Sequence, residues 1–211
     1  MQKESGLKPL LMMAFIPLLL AFLPPGLARA TPVVDEPAPD FSASDTYTKP
    51  FTLSKEHGKY VVLEWTNSEC PFVHKHYDSG NMQALQKKMT EAGVVWVSII
   101  SSAQGKQGYV EDSEANLIAS QRGAAPTHII RDPEGRIGRL YQAKTTPHMY
   151  LISPKRKLIY MGAIDSIPST NPADIPKAEN YLLRAYNESK AGMPVTVSAT
   201  RSYGCSVKYK E

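Results

Sequence analysis

The sequence predicts an α/β fold, a central mixed β-sheet flanked by helices, with an N-terminal hairpin extension. Three observations carry the prediction. Short apolar, β-branched runs alternate with segments of helical period. Glycines close the helical segments. The last two apolar runs are joined by a tight polar turn, so they pair antiparallel after earlier strands that run parallel.

The elements follow in order. "TPVVDEPAPD" (31–40) is proline-rich and reads as an extended lead-in to a domain spanning 41–192. "FSASDTYTKPFTLS" forms a small hairpin turning near Thr48-Lys49-Pro50. "KYVVLEWT" (Lys59 to Thr66) is too short for a helix and reads as a buried strand. Pro71 suits the first turn of the next helix, where a missing N–H costs nothing. "MQALQKKMTEAG" is helical with a glycine stop, and "VVWVSIIS" is a second buried strand. "VEDSEANLIASQRG" is an amphipathic helix and "THIIR" a third strand. "DPEGRIGRLYQA" holds a turn and a short helix. "HMYLIS" and "KLIYMGAI" are the closing hairpin around Pro154-Lys155-Arg156, and "PADIPKAENYLLRAYNESKAG" (Pro172 to Gly192) is the longest helical candidate. Residues 193–211 read as an irregular tail carrying Cys205. The order of elements is that of a thioredoxin-like fold, with the hairpin added in front.

The chain has 211 residues, 42% apolar and 21% charged, which suits one sizeable core. Its formal charge is +4, with no block of like charges, so no nucleic-acid partner is expected. Residues 1–30 read as a signal peptide. Lys3 and Lys8 give a basic start, Leu10 to Leu23 is apolar, and Ala28-x-Ala30 is a small-residue cleavage pattern. Membrane contact is expected only through this segment before cleavage, and the location is expected to be periplasmic or secreted. Cleavage would remove Lys3, Lys8, Arg29 and Glu4, leaving 21 bases and 19 acids. In an oxidising compartment the two cysteines, Cys70 and Cys205, are free to form a disulfide.

Cys70 stands where a buried strand gives way to a helix starting at Pro71. Unpaired N–H groups at such a helix start favour the thiolate, the reactive form of cysteine. Lys75, His74 and His76 are expected to add positive potential, against Glu69. The pattern is C-x-x-V, so Val73 occupies the place a second thiol would take. Thr145-Thr146-Pro147 precedes a strand, and a proline there does not suit a central strand. The element order resembles thioredoxin-like folds, and that resemblance implies a cis Thr146–Pro147 bond packed against Cys70; a loop proline that merely starts a strand is the other reading. Trp65 and Trp96 are core or site-wall residues, and His57 and His128 are surface or structural.

Three blocks then resemble the thioredoxin-like redoxin proteins of the alkyl hydroperoxide reductase/thiol-specific antioxidant superfamily, in particular exported members. They are Cys70-Pro71-Phe72-Val73 with Lys75 and Tyr77, Thr146-Pro147-His148, and Tyr203-Gly204-Cys205-Ser206-Val207-Lys208-Tyr209. The resemblance implies a thiol–disulfide oxidoreductase with Cys70 as nucleophile and Thr146 and Pro147 beside it. Trp65, Asn67, Pro71, Lys75 and His148 would bind substrate or tune the thiol. Set beside that resemblance, Cys205 stands as the resolving thiol; a Cys205 that stays free or pairs between chains stays open. No cofactor is implied beyond the cysteines and an external thiol reductant. The partners would be a thiol or disulfide protein substrate, or a peroxide, and a reductant protein. Two departures matter. The second cysteine of C-x-x-C is Val73. The threonine and proline of the peroxidase P-x-x-x-T-x-x-C pattern are Asn67 and Leu63. The alternatives are a peroxide-reducing antioxidant that uses the same cysteine, and a non-catalytic copper- or thiol-binding role with Cys70, His74 and His148 as the metal ligands.

Overall fold

The computed structural model describes residue 2 and residues 31–211. The signal-peptide reading of 1–30 lies outside the described stretch. Among the described residues no helix is long and apolar enough to cross a membrane.

Strands β1 (Ser42–Ser44) and β2 (Pro50–Thr52) form the expected antiparallel hairpin. The lead-in before them is docked, with Asp35 and Ala38 donating N–H to the carbonyls of Leu158 and Arg156. The central sheet then takes β3 (Val61–Trp65), β4 (Val95–Ile100), β5 (His128–Arg131), β7 (His148–Ile152) and β8 (Leu158–Gly162). Its order is β5-β4-β3-β7-β8. Strands β3, β4 and β5 are parallel, and β7 and β8 add antiparallel to β3. The mixed sheet and closing hairpin are those the sequence predicts.

Every residue of β3 is buried, because both faces of the sheet are covered. On one face Leu63 and Trp65 pack with Phe41, Phe51, Ile130 and Tyr141, so the hairpin and helix α4 (Arg136–Leu140) cover it. On the other, Val62 and Trp96 pack with Val73, Met82, Leu85, Leu182 and Tyr186. These come from helices α1 (Pro71–Asp78), α2 (Asn81–Glu91) and α5 (Tyr181–Lys190). Helix α3 (Asp112–Gln121) lays Ala115 against Ile129 of β5.

One acid breaks the apolar run of β3. Glu64 is fully buried and accepts four hydrogen bonds. The donors are Tyr77 Oη at 2.8 Å, Gln86 Nε2 at 3.1 Å, Trp96 Nε1 at 2.8 Å and Ser98 Oγ at 2.9 Å. Burial pushes its carboxyl above the usual range, although these four donors oppose the rise. The cluster fastens α1 and α2 to the centre of the sheet.

Two expectations are corrected. The segment from Pro172 to Gly192 is not one helix. A 3-10 turn covers Pro172–Lys177, Ala178 turns extended, and α5 begins again under an Asn180 cap that accepts from Leu183 N at 2.8 Å. Pro176 has no N–H to continue the first piece. Among the described residues the longest helix is therefore α2, with 11 residues. Nor is the tail wholly irregular. Strand β9 (Cys205–Ser206) pairs antiparallel with β6 (Thr145–Thr146). Thr200 is tied to Met161 and Ala163 on one side, and Lys208 accepts from Ala103 N on the other, so the tail crosses the site as a strap.

Candidate redox site

Cys70 is the residue that begins α1, with extended backbone and Pro71 as the first helical residue. Its N–H bonds to the Asn67 carbonyl at 3.1 Å, and its carbonyl receives Val73 and His74 N–H groups at 2.9 Å. Asn67 shapes this loop. It is buried, its Oδ1 accepts from Glu69 N at 2.9 Å, and its Nδ2 donates to the Gln107 carbonyl at 3.3 Å. The Thr146–Pro147 peptide is cis, as the thioredoxin-like resemblance implies.

The two cysteines meet. Their sulfurs lie 2.7 Å apart as free thiols, and Cys70 Sγ stands 3.1 Å from the Thr146 carbonyl. Pairing of β9 with β6 places Cys205 opposite Thr146. Gly204 permits the approach. Its φ is +135°, and a Cβ there would overlap the Thr146 carbonyl. Cys70 has no exposed surface, whereas Cys205 keeps some.

Burial alone would push the Cys70 thiol up. The neighbouring Cys205 thiol, Thr146 beside the sulfur and the backbone N–H groups of Cys205 and Val73 outweigh that rise and bring it below the usual thiol value. Cys205 moves the other way. Burial, its hydrogen bond to Cys70 and the Cys70 charge push it up to about 11. Of the two thiols, Cys70 is therefore the one that ionises first.

The expected cationic surroundings of Cys70 are corrected. Lys75 is buried, but its ammonium pairs with Asp165 Oδ2 at 3.0 Å and donates to the Ile167 carbonyl at 2.9 Å. His74 lies half exposed against Asp78 at 3.0 Å. His76 is buried and held neutral, its pKa pushed down by burial to about 4, with Asp165 opposing and Lys75 adding to the fall. The largest causes that lower the Cys70 thiol are hydrogen bonds at its sulfur. Lys75 instead steadies the strap. Tyr203 Oη donates to Asp165, and its ring meets Phe72 of α1 edge-on at 5.8 Å.

Trp65 ends β3 in register with His148, buried, with its Nε1 donating to Ser101 Oγ at 3.0 Å. His148 Nδ1 faces Lys144 N at 3.3 Å and Tyr150 Oη at 3.2 Å. Burial and Lys144 push its pKa down to about 3. Trp96 is a core residue, as expected, and His128 is structural, bonded to Asp45 at 2.8 Å. The copper alternative is not supported by placement: among the described residues no three His, Cys, Asp or Glu side chains are gathered to hold a metal ion. Sequence reasoning missed Asp165, whose only signal was an acid near the end of the closing hairpin, and Glu64, an acid inside an apolar strand.

The two buried histidines set an acid limit. The unfolded chain binds protons on them near pH 6.5, and the native chain does so only near 4 and 3. Between about pH 6.5 and 4 the unfolded state therefore holds more protons, and stability falls as pH falls. Each group contributes at most about 1.4 kcal/mol per pH unit. Urea unfolding across that window is expected to show this slope, and His76→Asn to flatten it.

A family model described as the AhpC/TSA family matches residues 34–161. No curated protein sequence matches the chain. Among solved structures, a hypothetical protein from Sinorhizobium meliloti is similar at 20% identity and a TM-score of 0.70, over 84% of this chain and 95% of that one. An uncharacterised conserved protein from Geobacillus kaustophilus is similar at 22% identity and a TM-score of 0.69, over 84% and 93%. A candidate protein disulfide isomerase from Bacteroides thetaiotaomicron is similar at 21% identity and a TM-score of 0.55, over 74% and 89%. These likenesses establish the fold.

Proposed function

This chain belongs to the AhpC/TSA family, and from that premise we propose that it is an exported thiol–disulfide oxidoreductase in which Cys70 is the nucleophile and Cys205 resolves. The observation that carries the reading is the 2.7 Å approach of the two sulfurs, with Cys70 the more acidic of the pair. In the cycle, β9 leaves β6 and the Cys70 thiolate attacks a substrate disulfide. One substrate sulfur is expelled as thiolate, and the other is held in a mixed disulfide. Cys205 then attacks Cys70 Sγ, expels the second substrate sulfur and closes the intramolecular disulfide. The order suits the acidities. Two of the causes that raise Cys205 are its hydrogen bond to Cys70 and the Cys70 charge, and both vanish once Cys70 is bonded elsewhere. In this reading Thr146, whose carbonyl lies 3.1 Å from Cys70 Sγ, and the adjoining Pro147 wall the thiol, while Asn67 and Pro71 fix the loop that presents it. The basic start, apolar run and small-residue pattern of residues 1–30 support export, and the substrates would be proteins bearing thiols or disulfides.

One observation favours a second reading. The sealed Cys70 admits a small oxidant more readily than a protein. With a peroxide, the thiolate would take one oxygen to give a sulfenic acid and release an alcohol or water. Cys205 would then displace water to form the same disulfide. Against it, Asn67 and Leu63 stand at the threonine and proline positions of the peroxidase pattern.

The test is turnover by the chain from residue 31 on, with a thiol donor, against a disulfide substrate and against hydrogen peroxide in parallel. Faster reduction of the disulfide supports the first reading, and faster peroxide consumption replaces it with the second. Thiolate absorbance, taken as the difference from Cys70→Ser, is expected to titrate below an ordinary thiol. In Cys205→Ala the midpoint should rise, because the hydrogen bond between the Cys205 thiol and the Cys70 sulfur is gone.

A further inference from the structure

We propose that the cleft lined by Lys144, His148 and Arg201 binds a small aromatic carboxylate. Neither cysteine lines this cleft, so the proposal stands or falls apart from the redox reading.

The cavity has the dimensions of a ligand site. Its volume is about 430 Å³, within the ~300–1,000 Å³ of small-molecule pockets. Its two sides come from distant parts of the chain. Lys144 leads into β6, and Arg201 belongs to the strap. Beside Arg201, Thr200 Oγ1 accepts from Ala163 N at 2.9 Å, and β6 is paired with β9. Both sides are therefore held in place by the protein's own hydrogen bonds.

His148 supplies the central donor. The residue is only 8% exposed. The Lys144 N–H meets its Nδ1 at 3.3 Å. A backbone N–H only donates, so Nδ1 is an acceptor. The Tyr150 hydroxyl, 3.2 Å from Nδ1, gives its own proton to the Tyr141 carbonyl at 2.8 Å. Burial keeps the ring neutral. Its one N–H proton therefore sits on Nε2. Among the described residues Nε2 has no hydrogen-bond partner. It is not one of the polar atoms that are both sealed and unpartnered, so it opens onto the cleft that the ring lines. A largely buried N–H with nothing to receive it calls for an acceptor.

The charges select that acceptor. Among the described residues no carboxylate pairs with Lys144 or Arg201. No Asp or Glu lines the cleft. Two cations and the Nε2–H together suit a carboxylate, which accepts from all three. The walls select its body. Tyr141 and Tyr150 are buried, and their hydroxyls are already spent on the carbonyls of Pro39, at 2.7 Å, and Tyr141. They offer a ligand ring surface, with the Met161 side chain beside them. An inorganic anion would leave that surface uncovered.

The experiment titrates the reduced protein with benzoate by calorimetry and follows the His148 ring in proton–nitrogen correlation spectra. Saturable binding at one site is expected, with Nδ1 unprotonated throughout and the Nε2–H signal moving as benzoate is added. Benzamide keeps the ring and loses the charge, and it should bind about tenfold more weakly. Sulfate keeps a charge and loses the ring, and it should also bind more weakly. Lys144 and Arg201 are exposed, so Lys144→Met and Arg201→Gln should fold normally, and each should weaken benzoate several-fold. No saturable binding of benzoate, benzamide binding as tightly, or unchanged affinity in both variants would overturn the proposal. Sulfate binding as tightly as benzoate would overturn the aromatic body, and a proton on Nδ1 would overturn His148 as the donor.

Discussion

Cys70→Ser is expected to lower thiol–disulfide turnover about a thousandfold or more, to the background of uncatalysed exchange, while leaving the chain folded. A hydroxyl does not ionise near neutral pH, so the nucleophile is lost outright. The fold should tolerate the change. Serine is close in size, and the Thr146 carbonyl 3.1 Å from the sulfur can accept its O–H. A loss of about 1 kcal/mol is expected, typical of a conservative buried substitution. Cys205→Ser should behave differently. It keeps the Cys70 thiolate and its first attack, so a mixed disulfide with substrate accumulates in place of turnover. Steady-state assays with mass detection of the trapped adduct check both variants.

Glu64→Ala is expected to be the most destabilising single change away from the cysteines, by about 4 kcal/mol or more. The side chain is buried, and its removal strands Tyr77 Oη, Gln86 Nε2, Trp96 Nε1 and Ser98 Oγ in the centre of the sheet. A buried donor left without a partner costs about 1–3 kcal/mol. Gln86 Nε2 also contacts Tyr77 Oη at 3.0 Å, so two of the four retain a link to each other. That is why the sum falls below four full penalties. Glu64→Gln should cost less, because one oxygen is kept, but its NH₂ would face groups that are donors already. Urea unfolding free energies of the two variants give the comparison. Equal and small losses would show that water replaces the carboxylate without cost.

Much of the fold was legible because its signals are local. The runs around Val61–Trp65 and Val95–Ile100 are apolar and β-branched, and glycine closes the helical segment ending near Glu91. Cys70, Pro71 and Pro147 could be placed for the same reason: a strand, a helix start and a strand start fix them. What was not legible depends on distant residues. Lys75 read as a cation for the thiol because its true partner, Asp165, lies 90 residues away. Glu64 drew no attention inside an apolar run, since its donors come from 13 to 34 positions along the chain. Strand β9 has two residues, too few for any alternation to register, so the docked tail read as irregular. The break at Pro176 was visible, yet the apolar spacing on either side of it suggested one continuous helix.

The most direct test of the Cys70–Cys205 couple is a redox titration of the chain in buffers of graded thiol–disulfide potential, with both cysteines followed by alkylation and mass. The predicted result is that the two become protected together, along one two-electron curve that changes tenfold in about 30 mV. Independent titration of the two thiols, or protection of Cys70 while Cys205 stays free at every potential, would contradict it.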